Sequence, residues 1–217
     1  MSATGRNWMV AGAGVLAGTL GLASGPAGCA RHGLDRGEDV PVARLVADGG
    51  WDAGTMLEVE NVRGGVVVRV DPDAGAVRTR ATARPTERPW YDRLGVADGD
   101  VAEAVAITSV LEQSDAGPVV RVTARQNEPE EGPTGRAAAV DLVITTPPVA
   151  GVRVTTRDGR VELAGVSGRV EVHVGGAAGG PIEMRTAGAL VGPVALGTTR
   201  GDVLLQVTDE AGAQVEM

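Results

Sequence analysis

The stretch that decides the fold is VRVTTRDGRVELAGVSGRVEV, residues 152–172, in which valine and leucine alternate with charged and hydroxyl side chains. A period of two is typical of a half-buried β-strand, because successive side chains point to opposite faces of a sheet. Gly159, Gly165 and Gly168 interrupt the alternation, where tight corners favour a residue without a Cβ. The stretch therefore predicts short strands joined by glycine-containing corners.

One strand position recurs at intervals of 21 residues, at Val140/Leu142, Val161/Leu163, Ile182/Met184 and Val203/Leu205. Gly159, Gly180 and Gly201 follow the same interval. A second apolar pair accompanies the first, at Val152/Val154, Val170/Val172, Val194/Leu196 and Val215/Met217. Because a fixed period is typical of stacked coils, we predict an all-β fold, a β-solenoid or β-helix-like strand repeat with two strands in each repeat of about 21 residues. A β-sandwich is the alternative, since it also joins short strands by turns.

Strand-like alternation begins near Leu57, which predicts a β-strand-repeat domain over residues 54–217 with an insertion at 84–104. The insertion lacks the alternation and contains the candidate binding surface, formed by Arg88, Trp90, Tyr91 and Arg93. Aromatic and arginine side chains are enriched in binding hot spots, so we expect this cluster to contact a glycan or a partner protein. In the alternative interpretation, the two rings cap the end of the coil.

The N-terminus has the anatomy of an export signal. Arg6 precedes an uncharged stretch from residue 9 to residue 23, and small residues follow it. A membrane-spanning helix is the disfavoured alternative, because a span needs about 20 apolar residues and this stretch is short and rich in glycine. We therefore predict a signal peptide at residues 1–28 and a polar tether at residues 29–53.

The small residues that precede Cys29, in Gly-Pro-Ala-Gly-Cys-Ala, resemble a bacterial lipobox. The resemblance implies that Cys29 becomes the lipidated first residue of the mature protein, although Pro26 stands where lipoboxes usually carry an aliphatic residue. Ordinary cleavage after Ala30 is the alternative, and it would yield a soluble periplasmic or secreted protein. Cys29 is the only cysteine, so no disulfide forms within the chain.

Composition excludes several classes of function. All 20 cationic residues are arginines, which excludes chemistry that needs a catalytic lysine. A net charge of −8 and an aromatic content of 2% disfavour binding to nucleic acid. The two histidines, His32 and His173, have the surroundings of solvated side chains. We expect no catalytic residue, no metal and no cofactor.

Asp141, Glu162 and Glu183 also recur at 21 residues and would form an outward acidic ladder if the repeats stack. Glycosidases use convergent carboxylates, so a polysaccharide-acting β-helix enzyme is an alternative function. Stacked like charges also have a simpler role, because they oppose edge-to-edge aggregation of sheets.

Residues 140–172 are similar to bacterial strand-repeat domains of unknown function that are known as putative adhesins. The family pattern V-x-V-x-T-x-x-G-x-V-x-L/V-x-G-V-x-G is matched at residues 152–168 and echoed at residues 198–205. Residues 57–70 resemble its opening unit. The resemblance implies an exported, often membrane-tethered, β-helix-like domain without an established catalytic site.

These features together predict an exported, lipid-anchored protein of the cell envelope with a non-catalytic β-repeat domain for structural or adhesin-like binding. The expected partners are the membrane, through the anchor at Cys29, and a glycan or an envelope protein. A regulatory binding module of the envelope-stress type is a further alternative. The sequence does not indicate an oligomeric state.

Overall fold

The computed structural model describes residues 40–47, 54–85, 105–127 and 138–208, which confirm the all-β prediction for this part of the chain. The chain divides into two units, residues 1–35 and 36–217, and every described residue belongs to the second. The described residues include no helix long and apolar enough to cross a membrane. The strands are β1 Val40–Ala47, β2 Met56–Arg63, β3 Val66–Val70, β4 Val77–Pro85, β5 Val105–Ser114, β6 Gly117–Gln126, β7 Ala138–Thr146, β8 Gly151–Asp158, β9 Val161–Ala164, β10 Arg169–Gly179, β11 Ile182–Arg185, β12 Val194–Thr198 and β13 Val203–Gln206.

The strands form two mixed sheets. The seven-stranded sheet has the order β1-β4-β7-β3-β9-β11-β13, and the six-stranded sheet has the order β12-β10-β8-β2-β6-β5. The pairs β1–β4, β4–β7 and β5–β6 are antiparallel, and the other neighbours are parallel. From β6 to β13 the chain alternates between the sheets, so it visits the opposite sheet between one strand and the next in the same sheet.

Parallel pairing in the seven-stranded sheet follows the 21-residue interval, because Val161, Ile182 and Val203 lie in register. The six-stranded sheet departs from it. There Val152, Val170 and Val194 lie in register at separations of 18 and then 24 residues. A longer β10 and a longer corner before β12 supply the additional residues, so the period is constant in one sheet only.

The first member of the predicted series does not follow the pattern, because β3 lies between β7 and β9. Leu142 pairs with Val66, and Val66 pairs with Val161. The prediction that Val140 is equivalent to Val161 is therefore wrong by two residues, and the two strands are not neighbours. Spacing along the chain cannot indicate such an arrangement, since the intervening strand comes from a distant segment.

Strand β1 lies within residues 29–53, where the sequence predicts a tether. It is the edge of the seven-stranded sheet, pairs with β4, and has an irregular register next to Pro41. Proline cannot donate a ladder hydrogen bond and is tolerated at edges and bulges, which is why it obscures the strand signal here. At the other boundary, β4 extends to Pro85, one residue beyond the predicted start of the insertion at Arg84.

The apolar sides of both sheets pack into one core. Leu57, Val152 and Val170 enter it from the six-stranded sheet, and Leu142 and Leu163 enter it from the seven-stranded sheet. Full burial of such side chains stabilises the fold by about 1.5–3 kcal/mol each, which is the main source of stability in a chain without disulfides.

The corners between the sheets carry a stack of glycines, Gly64, Gly159, Gly180 and Gly201. A Cβ on Gly159 would lie 2.2 Å from the carbonyl oxygen of Gly64, and a Cβ on Gly180 would lie 2.0 Å from that of Gly159. The Gly180 N–H donates to the Arg200 carbonyl oxygen at 2.7 Å, so hydrogen bonds between neighbouring chain segments continue through the corner. The glycine interval thus has a physical cause, the close approach of successive backbones.

Candidate functional site

The residues that the sequence singles out, Cys29, Arg88, Trp90, Tyr91 and Arg93, all lie outside the described residues. Their roles in lipidation and binding stay predictions. The candidate surfaces that the structure describes are the outward faces of the two sheets, where alternation places the polar half of each strand.

A row of alternating charges crosses five strands of the six-stranded sheet. This row, the ionic ladder, consists in spatial order of Glu112, Arg121, Glu58, Arg153 and Glu171. Parallel register creates its centre, because Glu58 lies in register with Arg121 on one side and with Arg153 on the other. Arg153 in turn lies in register with Glu171.

Neighbouring members of the ladder form ion pairs, with short distances between guanidinium nitrogens and carboxylate oxygens. Arg121 Nη1 lies 2.9 Å from Glu112 Oε2, and Arg121 Nη2 lies 3.0 Å from Glu58 Oε2. Arg153 Nη1 lies 3.1 Å from Glu58 Oε1, and Arg153 Nη2 lies 3.1 Å from Glu171 Oε2. The hydrogen bond to Glu58, together with the charge of Glu112, raises the pKa of Arg121.

A shallow groove of about 360 Å³ lies beside the ladder, lined in part by Glu60, Arg125, Thr155, Arg157 and His173. Glu60, Thr155 and His173 lie in register on three adjacent strands, β2, β8 and β10. His173 is exposed, as the sequence predicts for a solvated strand histidine. The groove has the hydroxyl, acidic and basic groups of a polar binding surface.

A second hollow, of about 350 Å³, lies among the corners at the ends of β3, β7, β9 and β11. Val70, Pro72, Val149, Val166 and Ala187 are among the residues that line it, and none of its lining side chains is charged. This hollow is therefore apolar, unlike the sheet faces.

Of the predicted acidic ladder of Asp141, Glu162 and Glu183, only the last two residues are neighbours. Glu162 and Glu183 pair in register, but Val67 of β3 lies next to Glu162 and separates it from β7. Asp141 instead accepts a hydrogen bond from the Gly65 N–H and lies 3.2 Å from Arg84 Nε. The expected row of three carboxylates is thus wrong, because the inserted strand β3 removes Asp141 from it.

The remaining two carboxylates are paired with arginines. Arg160 and Arg185 each donate a hydrogen bond to Glu183, whose side chain is only 12% exposed. The hydrogen bond from Arg185 lowers the pKa of Glu183. The general acid of a glycosidase needs a raised pKa, whereas the pKa of Glu183 is shifted in the opposite direction. No three His, Cys, Asp or Glu side chains in the described ranges are grouped as a metal site requires.

Sequence reasoning missed a group of basic side chains on the seven-stranded sheet. This arginine cluster consists of Arg69 on β3 with Arg78 and Arg80 on β4, all exposed. Thr145 of β7 lies between them, opposite Arg78 and in register with Arg69. The only sequence signal is the alternation of Arg78, Arg80 and Arg84 along β4, since Arg69 joins the cluster through the sheet order.

Comparisons with known proteins found limited similarity. No protein-family model matches the chain, and no curated protein matches it. Among solved structures, the chain is similar to a putative cell adhesion protein from Clostridium sporogenes, with 7% identity and a TM-score of 0.38 over 78% of this chain and 94% of that one. It is also similar to a putative adhesin from Bacteroides fragilis, with 7% identity and a TM-score of 0.24 over 76% and 94% of the two chains.

Proposed function

We propose that this protein is exported to the cell envelope, anchored there through a lipid on Cys29, and binds a partner non-catalytically with the faces of a β-solenoid. The anchor is supported by the uncharged stretch at residues 9–23 and by the small residues before Cys29. Residues between Cys29 and β1 would tether the folded body to the membrane.

The solenoid is supported by the way the strands pair. Each of the strand pairs β2–β3, β8–β9, β10–β11 and β12–β13 contributes one strand to each sheet. Neighbouring pairs stack in parallel, and the N–H of Val161 donates to the Pro181 carbonyl oxygen at 2.9 Å where the chain turns. Each such pair is then one coil, and the coils lie over one another as repeats of a solenoid do.

The observation that carries the binding role is the ionic ladder. Its five side chains come from five strands and hold one another in place across an outward face. A surface that is already ordered loses little conformational entropy when it binds a partner, which favours recognition. Its carboxylates, such as Glu58, are paired with arginines rather than placed for proton transfer.

The anchor is tested by an intact mass spectrum of the N-terminus of the protein from the membrane fraction, with Cys29→Ser as the control. We expect an acylated Cys29 that the control loses together with membrane association. A free N-terminus after Ala30 would contradict the anchor, and a retained Met1 would contradict export.

The binding role is tested by applying the full chain to immobilised envelope glycans and detergent-extracted envelope proteins. We expect saturable binding without turnover of any glycan. Turnover that is lost in Glu162→Gln would overturn the non-catalytic role and support the polysaccharide-acting alternative. Reproducible capture of a signalling protein, without glycan binding, would instead support the regulatory alternative.

A further inference from the structure

We propose that the arginine cluster on the seven-stranded sheet binds a linear anionic polysaccharide. The inference goes beyond the proposed binding role, because it assigns a second binding surface on the sheet opposite the ionic ladder and names the chemical class of its partner. The site itself consists of Arg69, Arg78 and Arg80 around Thr145 and Val143.

The strand order places the three arginines at a spacing that suits successive acidic units of one polysaccharide chain. Arg78 and Arg69 flank Thr145 on adjacent strands, and adjacent strands lie about 4.8 Å apart, so their backbones are about 10 Å apart. Arg80 lies two residues further along β4, about 7 Å from Arg78. Three guanidinium groups therefore border a small area of the sheet.

The cluster is distinctive because its charges are not neutralised within the described part of the chain. Arg69, Arg78 and Arg80 form no ion pair and no side-chain hydrogen bond with any described residue. On the opposite sheet, by contrast, Arg121 and Arg153 are each paired with two glutamates. In a protein with 28 acidic residues and a net charge of −8, guanidinium groups that lie together without a partner among the described residues favour an external anion.

The floor between the arginines suits a sugar ring. Val143 is 37% exposed and lies beside Arg80, while Thr145 offers a hydroxyl beside Arg78. An apolar side chain contacts the C–H face of a sugar, and the hydroxyl can exchange hydrogen bonds with the sugar's hydroxyl groups. Guanidinium groups bind carboxylate or sulfate oxygens in bidentate geometry.

A thin polymer fits this surface better than a flat anionic membrane does. The neighbouring row of the same face contains Glu162 and Glu183, two and three strands beyond Val143. A flat membrane surface would bring its anionic headgroups close to these carboxylates. A polysaccharide chain that lies along Arg78, Thr145 and Arg69 avoids them. Single-stranded nucleic acid is disfavoured because the described ranges contain no aromatic side chain for base stacking.

The experiment measures binding of the full chain to polygalacturonate, dextran sulfate and neutral dextran by isothermal titration calorimetry. We expect binding to the two acidic polymers and not to neutral dextran, with an affinity that falls as salt is added. The double variant Arg69→Gln/Arg78→Gln is expected to lose at least about tenfold in affinity, or about 1.4 kcal/mol. Arg80→Gln alone is expected to show a smaller loss.

The control is Arg200→Gln, which removes an exposed arginine elsewhere on the surface that forms no ion pair with a described residue. It is expected to bind like the unsubstituted chain. An equal loss in this control, no binding to either acidic polymer, or tighter binding to vesicles of phosphatidylglycerol than to the polymers would each overturn the proposal. The N-terminal mass spectrum reports on anchoring independently, so failure of this site is distinguishable from failure of the proposed function.

Discussion

Gly180 lies so close over Gly159 that a Cβ on Gly180 would stand 2.0 Å from the Gly159 carbonyl oxygen. Backbone atoms occupy the space on that side, so no flexible side chain can move away to make room. The contact repeats at the neighbouring corner, where Gly201 approaches Gly180. Stacked corners of this kind restrict the residue type more strongly than the surrounding strands do.

The first prediction concerns this contact. Gly180→Ala should destabilise the protein by about 1–3 kcal/mol, because the added methyl group forces the two backbones apart. Gly75→Ala is the matched control, since a Cβ there meets no atom within 4 Å. The change in the free energy of unfolding is measured by urea titration, and equal midpoints for the two variants would contradict the stacked corner.

The second prediction concerns the ionic ladder. Glu58→Gln removes the carboxylate that joins Arg121 to Arg153, and we expect a loss of about 1 kcal/mol that shrinks in high salt. A double-mutant cycle with Arg153→Gln isolates the coupling between the two side chains. Glu60→Gln is the control, because its contact with Arg125 is longer, at 3.6 Å, and more exposed. A loss in the control as large as that in Glu58→Gln would argue against a cooperative ladder.

The third prediction concerns stability in acid. The pKa of Glu183 is lowered by hydrogen bonds from Arg185 and Arg160, so its ionised form is favoured in the folded state. The contribution of ionised Glu183 to the free energy of unfolding is fully present above the unfolded-state pKa, which is about 4.3. It is lost as the pH falls through the lower pKa of the folded state. Glu183→Gln should therefore be less stable at neutral pH and should lose less stability on acidification.

Thermal unfolding midpoints at a series of pH values between neutrality and pH 3 provide the measurement. Asp202→Asn serves as the comparison, because this exposed carboxylate forms no ion pair with a described residue. Parallel pH profiles for unsubstituted protein and Glu183→Gln would show that the pairing with Arg185 does not support the fold.

Local patterns in the sequence carried most of the information about individual strands. Alternation around Val152 and Val161 predicts strands with one buried face, and those valines are fully buried. The 21-residue interval of Val161, Ile182 and Val203 predicts the neighbours within one sheet. Both signals are local or strictly periodic, so they follow from side-chain alternation and from corner length.

The candidate surfaces were less predictable, because they depend on which strands become neighbours. The ionic ladder joins Glu58 to Arg121 and Arg153, which are distant in sequence. Asp141 leaves the predicted acidic row because β3 intervenes. The alternation along a strand predicts which face of the sheet a charged residue lies on. The strand order determines which residue becomes its partner.

The sequence by itself therefore determined the all-β class, the corner glycines and the buried side of central strands such as β8 and β9, since these depend on backbone geometry and on nearest neighbours along the chain. Only the tertiary structure decided that β2 and β3 lie between strands from later segments, and that Arg69 lies near Arg78. The physical reason is that strand order results from packing both apolar faces into one core, a long-range requirement that leaves no periodic trace in the chain.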